Sequence, residues 1–307
     1  MLSRIAESLF WIGRYVERAD GTARILEVHL ERLNGADAET EAVIVRELFA
    51  HMGLPATEEP TLRTLLDTLA HDRGAEHSIA GSFGAARENA RRARETVSSS
   101  LWEAVNTTWH GLSRQPRSLV GAYNYCTWVQ ERCAVMRGFT DTTMSQDEAW
   151  SFIRAGRFLE RADMTARLLR IHESTTLNLS WVQMLRCAGG YESFLRAAHS
   201  SISDESARDF LLLDRLFPRS VMCSLLDLER DLSRLSPDRP RIGTGNLPLR
   251  LVGDMRSSLE FTDPRDLPET LTPILQSVLR TCSEVSQAIT ARYFAQGQLT
   301  PWVGEQS

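Results

Sequence analysis

Residues 13–29 read GRYVERADGTARILEVH, and residues 156–172 read GRFLERADMTARLLRIH. Eleven of the seventeen positions are identical at a constant offset of 143 residues, where chance would give roughly one. Self-similarity at a fixed offset is the sequence signature of an internal repeat. The sequence therefore predicts one domain over residues 1–307, built from related halves at about 1–140 and 146–296, with a flexible tail at 297–307.

Apolar residues recur at helical spacing along almost the whole chain, and no convincing period-two strand is present. We therefore predict an all-α multi-helix bundle, in which a five- or six-helix unit is duplicated around two central helices that carry the ERAD sequence. The predicted helices cover residues 3–33, 40–52, 60–71, 77–94, 97–112, 117–138, 146–175, 179–198, 204–214, 219–235, 248–261 and 268–296.

Weaker similarities extend the repeat beyond the ERAD helices. Residues 45–53 (VRELFAHMG) parallel residues 182–190 (VQMLRCAGG), and the serines at 78 and 82 parallel those at 220 and 224. A separate local pattern, Ser145 followed by Glu148, predicts a capping box at the start of the second long ERAD helix.

The first ERAD helix is apolar on most sides, which predicts that it lies at the centre of the bundle. Its charged residues would then be partly buried, and buried charges need partners. The second copy poses the same problem. The simplest solution places the two helices side by side about a pseudo-twofold axis, so that Glu17 and Glu160 each meet an arginine of the other copy.

Two hypotheses explain such a cluster. It is a reciprocal salt-bridge network that fixes helix register, or a polar site that holds an anionic ligand on arginines, with Glu17 and Glu160 as candidate acid or base. Arg219, just after Phe217-Pro218 at a predicted helix start, is also well placed for an anion. The candidate residues for the network or site are Arg14, Glu17, Arg18, Asp20, Arg24, Arg157, Glu160, Arg161, Asp163, Arg167 and Arg219.

The composition excludes several classes of function. The chain is 42% hydrophobic and 24% charged with a net charge of −5, which gives no support for binding nucleic acid or an anionic membrane. All 35 basic residues are arginine, so lysine Schiff bases and P-loop lysines are unavailable. We therefore expect no nucleotide hydrolysis by the chain alone. An anion site would have to use arginine, backbone N–H groups or a metal.

Other patterns point to a cytoplasmic protein without cofactor or metal. The five cysteines form no CxxC pair, which indicates free thiols, mostly in the core. Arg4, Glu7 and Arg14 interrupt the apolar run that a signal peptide would need, and no uncharged stretch is long enough to span a membrane. Seven histidines lack Glu-x-x-His or HExxH spacing. His29 and His172, equivalent in the repeat, are expected to be ordinary core or surface residues.

Several motifs resemble those of the bacterial Alpha-E family, named for an alpha-helical domain with a Glu-Arg motif. They are the N-terminal LSR…FWIGRYVERA, Glu88-Asn89-Ala90-Arg91, Leu101-Trp102-Glu103, Phe158-Leu159-Glu160-Arg161-Ala162 and Phe217-Pro218-Arg219-Ser220-Val221.

The resemblance covers essentially the whole chain and implies a setting rather than a reaction. The resemblance implies that such proteins are companions of circularly permuted ATP-grasp peptide ligases and transglutaminase-like proteins, encoded beside them or fused to them. The resemblance thus implies an accessory protein of a peptide-modifying system that acts in trans. The alternatives are an enzyme acting on amide or peptide substrates through the twin Glu-Arg site, and a structural homo-oligomer.

Overall fold

The computed structural model describes residues 1–112, 119–174, 179–197, 203–236 and 245–294, and these form thirteen α-helices and no strand. The predicted all-α bundle is confirmed. The helices of the first half are α1 Ser3–Leu33, α2 Ala38–His51, α3 Leu62–Leu66, α4 Ile79–Arg92, α5 Ser99–Gly111 and α6 Leu119–Thr143. The later helices are α7 Glu148–Ser174, α8 Trp181–Cys187, α9 Tyr191–Ala197, α10 Asp204–Leu213, α11 Val221–Arg234, α12 Leu247–Glu260 and α13 Leu267–Ile289.

The predicted helix over residues 179–198 is in fact two helices, α8 and α9. Gly189, with φ of +64°, ends α8, and the N–H of Gly190 donates to the carbonyl of Leu185 at 2.7 Å. Gly53 ends α2 in the same way, with φ of +69°. The sequence comparison paired Gly53 with Gly190, but the structural equivalent of Gly53 is Gly189. Only glycine adopts this left-handed conformation without a steric penalty.

Three other boundaries differ from the prediction. Helix α6 continues to Thr143 because Gly138, taken as its end, is exposed in open space and does not interrupt it. Five-residue π-helical turns follow α3 and α13, at Asp67–His71 and Thr290–Phe294. The predicted capping box at Ser145 is wrong, since α7 begins one residue after Asp147, whose carboxylate accepts from the N–H groups of Ala149 and Trp150. The predicted tail at 297–307 lies outside the described residues.

The turns before α4 and α11 are each held by the same pattern of hydrogen bonds. Ser78 caps α4 by accepting from the N–H of Gly81 at 2.8 Å, and its hydroxyl donates to the carbonyl of Asp72. Ser220 caps α11 through Cys223 at 3.0 Å and donates to Asp214. Corresponding residues are 142 positions apart, so the serine similarity seen in the sequence marks equivalent turns.

The two halves also pack their helices in the same pattern. Helix α1 packs on α4 and α6, and α7 packs on α11 and α13. Helix α5 bridges α4 and α6 as α12 bridges α11 and α13. The most extensive contact in the molecule joins α1 to α7, and one continuous apolar core surrounds both. This pattern supports the predicted duplication about two central helices.

The crossing of α1 and α7 is reciprocal. A Cβ at Gly13 would overlap the carbonyl of Ile153, and a Cβ at Gly156 would overlap the carbonyl of Phe10. Phe10 and Ile153 are repeat equivalents, so each helix presents its glycine to the same turn of the other. Because neither glycine has a side chain, the two backbones come close enough for long side chains to reach across.

We predict that Gly156→Ala destabilises the fold by about 3 kcal/mol, the upper end of the usual cost of overpacking, because its methyl group meets backbone rather than a movable side chain. Gly138→Ala is the matched control. Gly138 is exposed within α6 with nothing near its would-be Cβ, so the alanine should stabilise by about 0.5–1 kcal/mol. Chemical denaturation of both variants tests this. Equal stability of the Gly156→Ala variant and the wild type would contradict the close crossing.

Candidate functional site

The two Glu-Arg motifs meet at the crossing of α1 and α7, and each glutamate is bound by the arginine of the other motif. Arg161 donates from Nε and Nη2 to the two oxygens of Glu17 at 2.8 and 2.9 Å. Arg18 donates from Nε and Nη2 to the two oxygens of Glu160 at 2.6 and 3.1 Å. These are reciprocal bidentate pairs, the strongest guanidinium–carboxylate geometry.

Both glutamates and Arg161 are removed from solvent, and Arg18 is partly buried. Glu17 is 1% exposed, Glu160 3% and Arg161 7%. Transferring such charges from water costs several kcal/mol each unless the partner geometry is excellent. The predicted burial of both glutamates, and their contact with arginines of the other copy, is therefore found in the structure.

A second carboxylate and three further arginines extend the pair at Glu17. Arg219 donates to Glu17 at 2.7 Å and also to Asp20. Arg137 lies 3.6 Å from Glu17 and 3.4 Å from Asp20, and Arg24 Nε donates to Asp20 at 3.1 Å. We call this cluster the Glu17 centre; its members are Glu17, Asp20, Arg24, Arg137, Arg161 and Arg219.

The equivalent Glu160 centre is smaller. Glu160 accepts from Arg14 as well as Arg18, and Arg14 also donates to the hydroxyl of Ser286 at 3.2 Å. Asp163, the counterpart of Asp20, pairs at 2.6 Å with Arg167, whose side chain is 46% exposed. Asp163 and Arg167 therefore form a surface pair at the edge of the centre.

Part of the difference between the centres follows from one position on the outer helices. Cys133 of α6 and Cys282 of α13 lie beside the carboxylates of the two centres. Four residues after each stand Arg137 and Ser286. Ser286 leaves room for Arg14 to reach Glu160. Arg137 occupies that place in the Glu17 centre, and the counterpart of Arg14, Arg157, instead pairs with Asp141 at 3.2 Å.

Both glutamates are ionised at neutral pH. Burial alone raises the pKa of each, but the adjacent guanidinium charges and hydrogen bonds outweigh it. Arg161 and Arg219 hold the pKa of Glu17 well below its ordinary value, and Arg14 and Arg18 lower the pKa of Glu160 to about 2. A general acid or base needs a pKa near the working pH, so neither carboxylate is suited to that role.

Within the part of the chain that the structure describes, the cavities at the network are too small for a substrate. The cavity beside Glu17 and Arg161, also lined by Gly21 and Met164, measures about 20 Å³, and the one beside Arg137 and Arg157 about 10 Å³. Each holds at most a single water molecule. Gly21 and Met164 are repeat equivalents in contact, and Met164 fills the space that Gly21 leaves.

The sequence prediction missed Arg137, Asp141 and Ser286. None lies in the ERAD repeat, and Arg137 has a serine as its counterpart, so no similarity between the halves marks it. Arg219 was predicted as a place for an external anion, but its partners are the internal carboxylates Glu17 and Asp20.

Other predicted features stand as follows. His29 is buried with Nδ1 2.7 Å from the carbonyl of Ile25, and burial lowers its pKa to about 4; the side chain of His172 lies outside the described set. All five cysteines are free, and all but Cys223 are buried. Among the described residues, no group of His, Cys, Asp and Glu could hold a metal ion, and no helix is long and apolar enough to cross a membrane.

Comparison with protein families matches residues 1–294 to the Alpha-E model, described as a predicted alpha-helical domain with a conserved ER motif. The chain belongs to the Alpha-E family. It carries two copies of that Glu-Arg pair, and both are at the centre of the fold described above.

Three mycobacterial proteins are similar to this Alpha-E chain. They are the uncharacterized proteins Mb2597 of Mycobacterium bovis and MT2643 and Rv2567 of Mycobacterium tuberculosis, each 25% identical over 341 residues. The alignment covers 95% of this chain but only 37% of each relative, so the chain spans about a third of the length of these relatives. No solved structure matches it.

We predict that Glu17→Gln and Glu160→Gln each lower the free energy of unfolding by about 3–5 kcal/mol, because each leaves buried guanidiniums without their carboxylate. The double variant should be non-additive, since the two sites share the α1–α7 crossing. Glu284→Gln is the matched control, because Glu284 pairs with Arg280 at 4.0 Å on the surface and exposed pairs contribute about 0–1 kcal/mol. A cost for Glu160→Gln no larger than the control would contradict a buried network.

The stability cost of Glu160→Gln should depend on pH. Because the folded-state pKa of Glu160 lies below the ordinary value of 4.5, its stabilisation is complete above pH 4.5 and is lost as the pH falls towards 2. The stability difference between wild type and Glu160→Gln should therefore narrow over that window. His29 titrates in both proteins and cancels from the difference. Urea denaturation at pH 7, 5 and 3 measures it; a constant difference would count against an ionised, paired Glu160.

Proposed function

We propose that this chain is a non-catalytic partner subunit of a peptide-modifying system that contains a circularly permuted ATP-grasp ligase and a transglutaminase-like protein. The observation that carries the proposal is the closed state of the Glu-Arg network. Two carboxylates with lowered pKa values, bound bidentately and without space for a substrate, hold α1 and α7 together rather than react.

The relatives support a role in company with other domains. In the mycobacterial proteins the matching region takes up only 37% of the chain, so a domain of this kind occurs there within a longer polypeptide. Resemblance to Alpha-E proteins supplies the nature of the companions. Composition supports a division of labour, because a chain without lysine lacks the usual phosphate-binding lysine of a nucleotide site.

The rival function, an enzyme using Glu17 or Glu160 on an amide or peptide, makes a different demand. It needs a carboxylate that reaches a substrate and changes protonation near neutral pH. The geometry of both centres favours the partner role over this one.

The proposal is tested by reconstitution with the ATP-grasp and transglutaminase-like proteins encoded in the same genome. We expect a stable complex by size-exclusion chromatography with light scattering, and a change in the ligase's peptide-dependent ATP turnover when this chain is added. The Glu17→Gln variant, assayed well below its melting temperature, should retain both effects, because its glutamate acts only on stability.

Two results would contradict the proposal. One is the absence of any complex or rate effect with either protein. The other is a folded, complex-forming Glu17→Gln variant that no longer changes the ligase's ATP turnover. That result would assign the glutamate a direct chemical role. Circular dichroism of the variant at the assay temperature establishes that it is folded.

A further inference from the structure

A cavity lies between α1 and the end of α4, away from the Glu-Arg network. This α1–α4 cleft measures about 910 Å³ and is open to solvent on one side. Its floor is Trp11 stacked on Tyr15, with ring centroids 5.3 Å apart, and the Tyr15 hydroxyl donates to Glu76. The cleft has the size of a small-molecule or peptide site.

In the second half, the equivalent place is filled by side chains of the protein itself. There Trp150 and Phe158 hold the guanidinium of Arg154, whose carbon lies 4.3 and 4.7 Å from the two ring centroids. Arg154 Nε donates at 3.0 Å to Asp231, which is fully buried. We call Trp150, Arg154, Phe158 and Asp231 the sealed cluster.

The repeat offsets identify the cleft and the sealed cluster as equivalent sites. At 143 residues, Trp150, Arg154 and Phe158 correspond to Glu7, Trp11 and Tyr15. At the 142-residue offset of the α4 and α11 turns, Asp231 corresponds to Asn89. All four counterparts line the cleft. In the first half Trp11 stacks on Tyr15 in the place that Arg154 takes on Phe158. Glu7 stands at the position of Trp150, and an open cleft is left there.

We infer that the α1–α4 cleft binds a peptide segment that carries a guanidinium and a carboxylate. The guanidinium lies against Trp11 and beside Glu7, at the position that Trp150 takes in the sealed cluster. Glu7 is exposed and in no ion pair within the part of the chain that the structure describes. A cation over an aromatic face is favourable, and more so with a carboxylate nearby.

The charges of the lining fit the second half of such a ligand. Four arginines and four glutamates line the cleft, so the site is balanced and accepts a zwitterion rather than a polycation. Arg91 and Arg92 share the single carboxylate of Glu88, at 2.8 and 3.2 Å. Together they retain a positive charge, which receives the peptide carboxylate.

This inference shares only its ligand class, peptides, with the proposed function, and its test uses the purified chain alone. The probe is N-acetyl-Gly-Arg-Gly with a free carboxylate, and the matched control is the same peptide with citrulline, which keeps the shape and removes the charge. Binding is measured by calorimetry. Location is measured by fluorine NMR of the chain labelled with 5-fluorotryptophan, with the Trp11 resonance assigned through Trp11→Phe.

We expect the arginine peptide to shift the Trp11 resonance, and the citrulline peptide to bind about threefold to tenfold more weakly. Glu7→Gln, a substitution of an exposed residue, should weaken the arginine peptide by a similar factor and leave the citrulline peptide unaffected. The triple variant Glu7→Trp, Trp11→Arg and Asn89→Asp copies the sealed cluster into the first half. It should reduce binding at least about tenfold.

Three results would overturn the inference: no shift of the Trp11 resonance with the arginine peptide, equal affinity for the citrulline peptide, or undiminished binding by Glu7→Gln. None of these three results depends on the folding of the triple variant. Failure here would leave complex formation with the ligase unaffected, and a missing complex would leave peptide binding by the isolated chain unaffected, so the two proposals fail separately.

Discussion

The exchange of arginines between Glu17 and Glu160 is the interaction on which the rest of the structure depends. Each glutamate sits in the interior, where an unpaired carboxylate would cost several kcal/mol, and each is bound bidentately by the arginine of the motif on the other helix. The two long helices must therefore cross at one register. That crossing requires glycine at positions 13 and 156, since any Cβ there would meet the opposite backbone. A Glu-Arg dipeptide that occurs twice thereby joins the two central helices.

The halves share a scaffold but differ in two places, and both differences matter for function. Arg137 of the first half stands at the position equivalent to Ser286 of the second. The Glu17 centre gathers four guanidiniums around two carboxylates, and the Glu160 centre gathers fewer. Trp150 and Arg154 of the second half are equivalent to Glu7 and Trp11 of the first. The second half is therefore filled by the sealed cluster where the first half has the α1–α4 cleft. The charged groups of the network pair with one another inside the protein, whereas the charged groups of the cleft lie at the surface. Ligand binding is thus expected at the cleft, and structural stability from the network.

The sequence predicts the features that depend on local periodicity and on the repeat. The helix α1, Ser3–Leu33, is predicted to the residue because its apolar pattern is uninterrupted, and the cross-copy glutamate pairs follow from burying charge on two equivalent helices. Features set by tertiary contacts were not predictable. Gly138 reads as a helix end but lies in open space on α6, and Arg137 gains its role only from the packing of α6 on α1. The break at Gly189 depends on a left-handed residue that the repeat comparison misplaced by one position.

The most direct test of the cross-copy network is a double-mutant cycle on Arg18 and Glu160, with Arg18→Met, Glu160→Gln and both together, followed by urea denaturation at pH 7. The pair spans the two motifs and is buried on the glutamate side, with Arg18 21% and Glu160 3% exposed. We predict a coupling of about 2–3 kcal/mol, at the upper end of what residues in one network show. Additive effects, with a coupling below about 0.5 kcal/mol, would contradict the claim that this exchange joins the two halves.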